Sequence, residues 1–365
     1  MNNSLYFAWN VKHRKQAAMR SFRMSALLGA LLCAAGLLAM PGKAFSQVPR
    51  GVFSIANLAP IPVQVLSNPD VDGISLRQTW ANIEPTEGVF DFSYLDSTIA
   101  ACASYGKQVL LRVSTMNGRP AWVDTAVRNN RGKFFRFMDG EVPTRIPVFW
   151  DPTFLAKKKA LIAALGAHFT NNPTVTIVVV SFANATSEDW NVPHTPDLVQ
   201  QWLRLGYTSA KMVNAGAQLI GATMDAFPNQ YVTLAEGGNG PRLDPDETYV
   251  ARTAIEAARS MYPGRLIVQR NALSTCITEP PGEEFSVWNL LWISRPDVAG
   301  QMLYFCFNDP NYTVNCGVPI DPAQALMDAV DQGSQYGMNY IEIYQTDAKN
   351  LPTAITYAHN LLNPP

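Results

Sequence analysis

Residues 71–96 read V-D-G-I-S-L-R-Q-T-W-A-N-I-E-P-T-E-G-V-F-D-F-S-Y-L-D, and their order is strand, loop, helix. Residues 71–79 are rich in β-branched residues and leucine and end in a polar cluster, the mark of a strand that points its last side chains into a cleft. Pro85 and Gly88 interrupt regular structure between Trp80 and Phe90. Ser93 is placed to cap a helix whose apolar face carries Leu95, Ile99, Cys102 and Ala103. The strand end and its loop thus gather an arginine, an indole and two carboxylates. In barrels of alternating strands and helices, chemistry sits on loops of this kind.

The same alternation extends along the chain. Strands are expected at 50–57, 107–114, 174–182, 231–236, 265–271, 300–307 and 339–344. Helices are expected at 152–169, within 196–227, and at 246–261, 283–293, 322–336 and 352–362, with a long loop through Trp122 and Trp150. Several of the strands are apolar without alternation, as parallel strands covered on both faces should be. Eight repeats over about 300 residues predict a (β/α)8 TIM barrel in a single domain. A doubly wound sheet is the alternative, but no G-x-G-x-x-G follows the first strand and no phosphate-binding G-x-x-x-x-G-K-[ST] occurs.

The chain has 365 residues, 47% hydrophobic and 16% charged, enough for one large core. Residues 1–46 carry six Lys and Arg and no acid, with an apolar run at 26–40 ending before Ala44-Phe45-Ser46. That is the pattern of a secretory signal cut after Ser46, leaving a barrel domain at 47–365 that is secreted or periplasmic without a stable membrane anchor. An uncleaved membrane anchor is the alternative, for which the run is short. Its removal leaves 22 bases against 29 acids, a net charge of −7, a poor surface for nucleic acid. In an oxidising compartment Cys306 and Cys316 can close a loop, with Cys276 a rival partner for either, while Cys102 reads as a buried thiol.

The pattern Trp80, Ile83-Glu84-Pro85, Glu87-Gly88, Phe90-Asp91-Phe92 and Leu95-Asp96 resembles the second βα unit of clan A glycoside hydrolases, most closely the catalytic barrels of the β-galactosidase-like family 42. The resemblance covers seventeen residues. It implies an acid/base glutamate after an asparagine at the end of strand four, a nucleophile on strand seven, and a strand-two arginine that helps hold that nucleophile ionised. Arg77 matches the arginine; an ion pair with Glu84 or Glu87 is its alternative use. The other two positions depart from the pattern. Strand four offers Asn184-Ala185, and residues 300–307 contain no acid.

Elimination leads to the same chemistry. The histidines beyond the leader, His168, His194 and His359, stand far apart, no cysteine has metal spacing, and no G-x-S-x-G elbow exists. Neither metal nor organic cofactor is expected. Carboxylates and aromatics remain, the groups that hydrolyse sugars. Glu188 is the candidate proton donor and Glu342 the candidate nucleophile or base, with Glu236 a substitute for either. Flanked by Ile341 and Ile343, Glu342 points either into the barrel or into the helical shell, where it would be a structural ion pair. Trp80, Trp122, Trp150 and Trp190 fall in loops at one end and are candidate sugar platforms. Asn184, Gln301 and Tyr344 are candidate hydroxyl contacts. A carbohydrate partner follows, either as the substrate of a hydrolase or as the ligand of a barrel that binds without cleaving.

Overall fold

The apolar runs pair as parallel strands in the computed structural model, which describes residues 47–56, 60–139, 141–180, 190–191, 195–239 and 244–364. The strands are β1 (Gly51–Ala56), β2 (Gly73–Thr79), β3 (Gln108–Ser114), β4 (Phe134–Asp139), β5 (Val142–Pro147), β6 (Val175–Val179), β7 (Trp190–Asn191), β8 (Tyr231–Asn239), β9 (Leu266–Leu273), β10 (Val298–Met302) and β11 (Tyr340–Tyr344). Eight of them run in the order β6-β3-β2-β1-β11-β10-β9-β8, and β8 pairs back onto β6, so the parallel sheet closes. With helices between successive barrel strands, this is a single-domain (β/α)8 barrel. The leader expected at 1–46, Asn184 and Glu188 lie outside the described residues.

Closure divides the apolar residues into two layers. Phe53, Leu110, Ile177, Val179, Tyr231, Ile267, Ala299 and Tyr340 fill the barrel interior, while alternate positions such as Val52, Ile74, Leu111 and Ile341 face the helical shell. The helices begin where side chains can satisfy their first N–H groups. Asp151 accepts from the Phe154 N–H at 2.9 Å ahead of helix Pro152–Phe169, and Asp321 caps Pro322–Gln335 in the same way. Each also has proline in its first turn, where no N–H is missed.

Gly73 shows how tightly the interior is filled. It stands beside Phe53 in register, and a β-carbon added there would lie 2.3 Å from the Phe53 ring. Gly73→Ala is therefore expected to cost about 1–3 kcal/mol through displacement of Phe53. Urea unfolding checks this, and an unchanged midpoint would count against it.

Several expectations need correction. The long loop after β3 holds a helix, Ala121–Asn129, and the β4–β5 hairpin. Residues 80–83, expected to be irregular, form a short helix capped by Thr79, which accepts from the Asn82 N–H. Ser93 is the first residue of its helix and not its cap, and Ala103 is exposed. The seventh barrel strand begins at Val298 and ends at Met302, so residues 303–307 belong to the rim. Cys276 pairs with Cys316, and Cys306 is a buried free thiol, as is Cys102. No helix among the described residues is long and apolar enough to cross a membrane.

Candidate active site

The barrel mouth is built from strand residues that share the inward phase. On β11, Tyr340 fills the interior, so alternation turns Glu342 inward as well. Its Oε1 accepts from Arg112 Nη2 of β3 at 2.5 Å and from Gln269 Nε2 of β9 at 2.6 Å. The Gln269 Oε1 accepts from the Tyr340 hydroxyl at 2.8 Å, and that hydroxyl also meets Thr233 Oγ1 of β8 at 3.2 Å. Four strands are thereby joined by one polar network. Arg112, Gln269 and Glu342 are all fully buried. Burial, and then the charge of Glu342, pushes the Tyr340 hydroxyl above its ordinary range and keeps it a donor.

One carboxylate oxygen is treated differently from the other. Glu342 Oε1 holds both donors, whereas Oε2 has no hydrogen-bond partner among the described residues. A buried carboxylate normally uses both oxygens. Held on one side only, it has a lone pair available for another group.

Arg77 on β2 donates from Nη2 to Gln301 Oε1 of β10 at 2.9 Å. Neither acid offered as its alternative partner takes it. Glu84 accepts from the Trp80 indole at 2.7 Å and the Gly88 N–H at 2.8 Å, and Glu87 pairs with Lys157. Glu236 is buried on β8, and its carbonyl accepts from Arg270 Nη1 at 3.0 Å. It stands three residues beyond Thr233, which faces inward, so alternation sets it on the opposite face of the strand. That placement suits it less to a role beside Glu342.

Of the four candidate tryptophan platforms, one is corrected. Trp80 is fully buried, edge-on to Trp122 at 5.8 Å and stacked near Phe154. Trp122, half-buried, donates to the Glu84 carbonyl at 3.0 Å, and Trp150 packs on Trp202 and Tyr207. Of Trp190 only the backbone, in β7, is described. Another aromatic group takes the position at the strand ends. Tyr304 and Phe305, with centroids 4.1 Å apart, lie beside Tyr344 at 6.1 and 6.2 Å, and both tyrosines are partly exposed. In the sequence Tyr304 and Phe305 carry no rim signal of their own, because residues 303–307 are as apolar as the strand before them.

Asp347, in the turn of helix after β11, fixes that rim. Fully buried, it accepts the N–H groups of Cys306 at 2.9 Å and Phe307 at 2.8 Å. Burial outweighs these two donors and raises its carboxyl to about 6. Because the folded value lies above the unfolded one, the native state holds a proton that the unfolded chain releases first. Stability from this group is full below about pH 4 and is lost as pH rises through about 6, a difference approaching 3 kcal/mol. Asp347→Asn keeps the acceptor and removes the titration, so its urea stability should fall less than that of the wild type between those pH values. Parallel pH profiles for the two proteins would refute the assignment.

Among the described residues no three His, Cys, Asp or Glu side chains converge as a metal site. Three comparisons bear on this geometry. The family model Glyco_hydro_42, described as beta-galactosidase, matches residues 63–218. A comparison with curated proteins found no match. Among solved structures, the catalytic domain of β-amylase from Paenibacillus polymyxa superposes with TM-score 0.56 at 11% identity, over 87% of this chain and 100% of that one. The β-galactosidase of the psychrophilic Marinomonas ef1 gives 0.57 at 11% identity, over 85% of this chain and 59% of that one. The β-galactosidase of the haloarchaeon Halorubrum lacusprofundi gives 0.55 at 15%, over 86% and 57%. The chain thus spans the whole of the amylase domain but under two thirds of each galactosidase. At these identities the structures show the fold alone. Over residues 63–218, less than half of its length, the chain is similar to the Glyco_hydro_42 model.

Proposed function

We propose that this protein is a secreted or periplasmic glycoside hydrolase that cleaves O-glycosidic bonds of an oligo- or polysaccharide with carboxylates alone. The observation that carries the reading is Glu342, whose Oε1 is anchored by Arg112 and Gln269 while Oε2 has no partner among the described residues. A nucleophile or base needs that division: one oxygen fixes its position and the other reacts with the anomeric carbon or with water. Glu188, in the segment following β6, is the proposed proton donor to the leaving oxygen. Arg77 and Gln301 are proposed hydroxyl contacts, and Tyr304, Phe305 and Tyr344 a stacking surface for the apolar face of a pyranose. Export is supported by the leader pattern of residues 1–46 and by the Cys276–Cys316 disulfide.

The test is turnover of a panel of chromogenic glycosides and polysaccharides by the wild type and by Glu188→Gln, Glu342→Gln and Glu236→Gln. Full activity in both Glu188→Gln and Glu342→Gln discards the pair. A second reading, a barrel that binds saccharide without cleaving it, is favoured by one contact. The strand-seven group facing Arg77 is the amide of Gln301, where the resemblance implies an acid. Calorimetric binding of a saccharide that the wild type never hydrolyses would decide for it.

A further inference from the structure

Positive charge in this chain is concentrated in one loop. Residues 119–145, between β3 and helix Pro152–Phe169, hold six Arg and Lys against three Asp and Glu. The rest of the chain from residue 47 holds 16 against 26. A net positive loop therefore stands on a strongly negative body. The loop lies beside the second βα loop, since the Ala81 N–H donates to the Gly118 carbonyl at 2.7 Å and the Trp122 indole to the Glu84 carbonyl. It belongs to the end of the barrel that carries Arg77 and Gln301.

Within it, Arg136 and Arg145 are direct cross-strand partners of the β4–β5 hairpin. Like charges so placed share a face at about 5 Å between β-carbons and repel. Only one of them is compensated. Asp124 accepts from Arg145 Nη2 at 2.9 Å, but the same carboxylate is already taken by Arg119 Nε at 2.7 Å. Arg119 is further used up on the Met116 and Arg145 carbonyls. Arg145 keeps over a third of its side chain exposed, and the Arg136 guanidinium is exposed with no hydrogen bond or ion pair among the described residues. Asn117, Thr144 and Arg145 line an open groove of about 410 Å³ alongside.

We propose that Arg136 and Arg145 form a subsite for an anionic substituent, the carboxylate of a uronic acid or a sulfate ester, on a saccharide that reaches the mouth. The proposal rests on the hydrolase or saccharide-binding reading of that mouth. Two guanidiniums on one face offer the paired N–H donors that planar or tetrahedral oxyanions take. A long polyanion such as nucleic acid would also have to lie along the acidic body, which opposes it; a single charged sugar meets the loop alone.

The test is calorimetry on the full protein with trigalacturonate, a sulfated galactan trisaccharide and neutral galactotriose. At least one charged probe should bind about tenfold more tightly than the neutral one. That advantage should vanish in about 0.5 M NaCl and in Arg136→Gln, which leaves the Arg145–Asp124 pair in place. Which charged probe is preferred tells carboxylate from sulfate. Equal affinity for all three, an undiminished advantage in Arg136→Gln, or equally tight binding of a DNA duplex overturns the subsite. If the preference holds while no saccharide is ever cleaved, the subsite stands and hydrolysis falls. If galactotriose is cleaved without any preference, the reverse is true.

Discussion

Replacing Glu342 by glutamine is expected to lower turnover by about a thousandfold or more and stability by about 3 kcal/mol or more. The two losses share one cause. The amide fits the same space but removes the charge that Glu342 sets against the fully buried Arg112 guanidinium, and a buried ion that loses a paired charge is strongly destabilising. Activity lost merely because the barrel loosens would look the same in this single variant. The double variant Arg112→Met, Glu342→Leu separates the effects. It removes both charges, and apolar side chains of similar volume should bring stability back to within about 1 kcal/mol of the wild type or above it. Turnover should stay abolished, since the inward-facing carboxylate of β11 is gone. A stable double variant that hydrolyses glycosides normally would reduce Glu342 to a structural ion, as would wild-type kcat in Glu342→Gln.

Much of the barrel is legible because each parallel strand is covered on both faces and so reads as an apolar run, and because Asp-Pro at 151–152 and 321–322 marks helix starts. Strand ends are harder to place. Residues 300–307 are apolar enough to pass for strand, yet pairing stops at Met302, where the backbone turns to make the aromatic rim. The hairpin carried a signal of its own, Asp139-Gly140 between runs that alternate about Phe135 and Ile146. The tryptophans misled for another reason. Sequence places Trp80, Trp122 and Trp150 on loops, but a loop position does not say which way the ring turns, and their rings meet one another or Trp202.

The site follows the same division. Glu342 was legible as a charge within an apolar strand, with its direction open between two faces. The phase of Tyr340 resolves it inward. Its partners obey the same logic: Arg112 shares phase with Leu110, and Gln269 with Ile267, inside strands otherwise apolar. Polar residues at inward positions of buried strands are the signal that would have found both.

Removing the Cys276–Cys316 bridge, as Cys276→Ser with Cys316→Ser, is expected to cost about 4 kcal/mol at 25 °C. The bridge closes a separation of 40 residues, and in the chain-entropy account its contribution comes from restricting the unfolded chain. The native state has other ties at this point. The Thr275 N–H donates to the Val314 carbonyl at 3.0 Å and its hydroxyl to Asn315 Oδ1 at 2.7 Å, so the fold should persist and show its loss as a melting point lower by roughly 5–8 °C. These contacts also explain why the pairing differs from the nearer spacing of Cys306 and Cys316: they align residue 276 with residue 316, while Asp347 holds the Cys306 backbone elsewhere. Exchange with Cys306 is suppressed as well, because burial first, and then the charges of Asp347 and Asp309, push its thiol far above the range in which a thiolate forms. A reductant should accordingly lower the wild-type melting point to that of the double variant and leave the double variant unmoved. A loss below about 1 kcal/mol would mean that the unfolded chain already keeps these ends together.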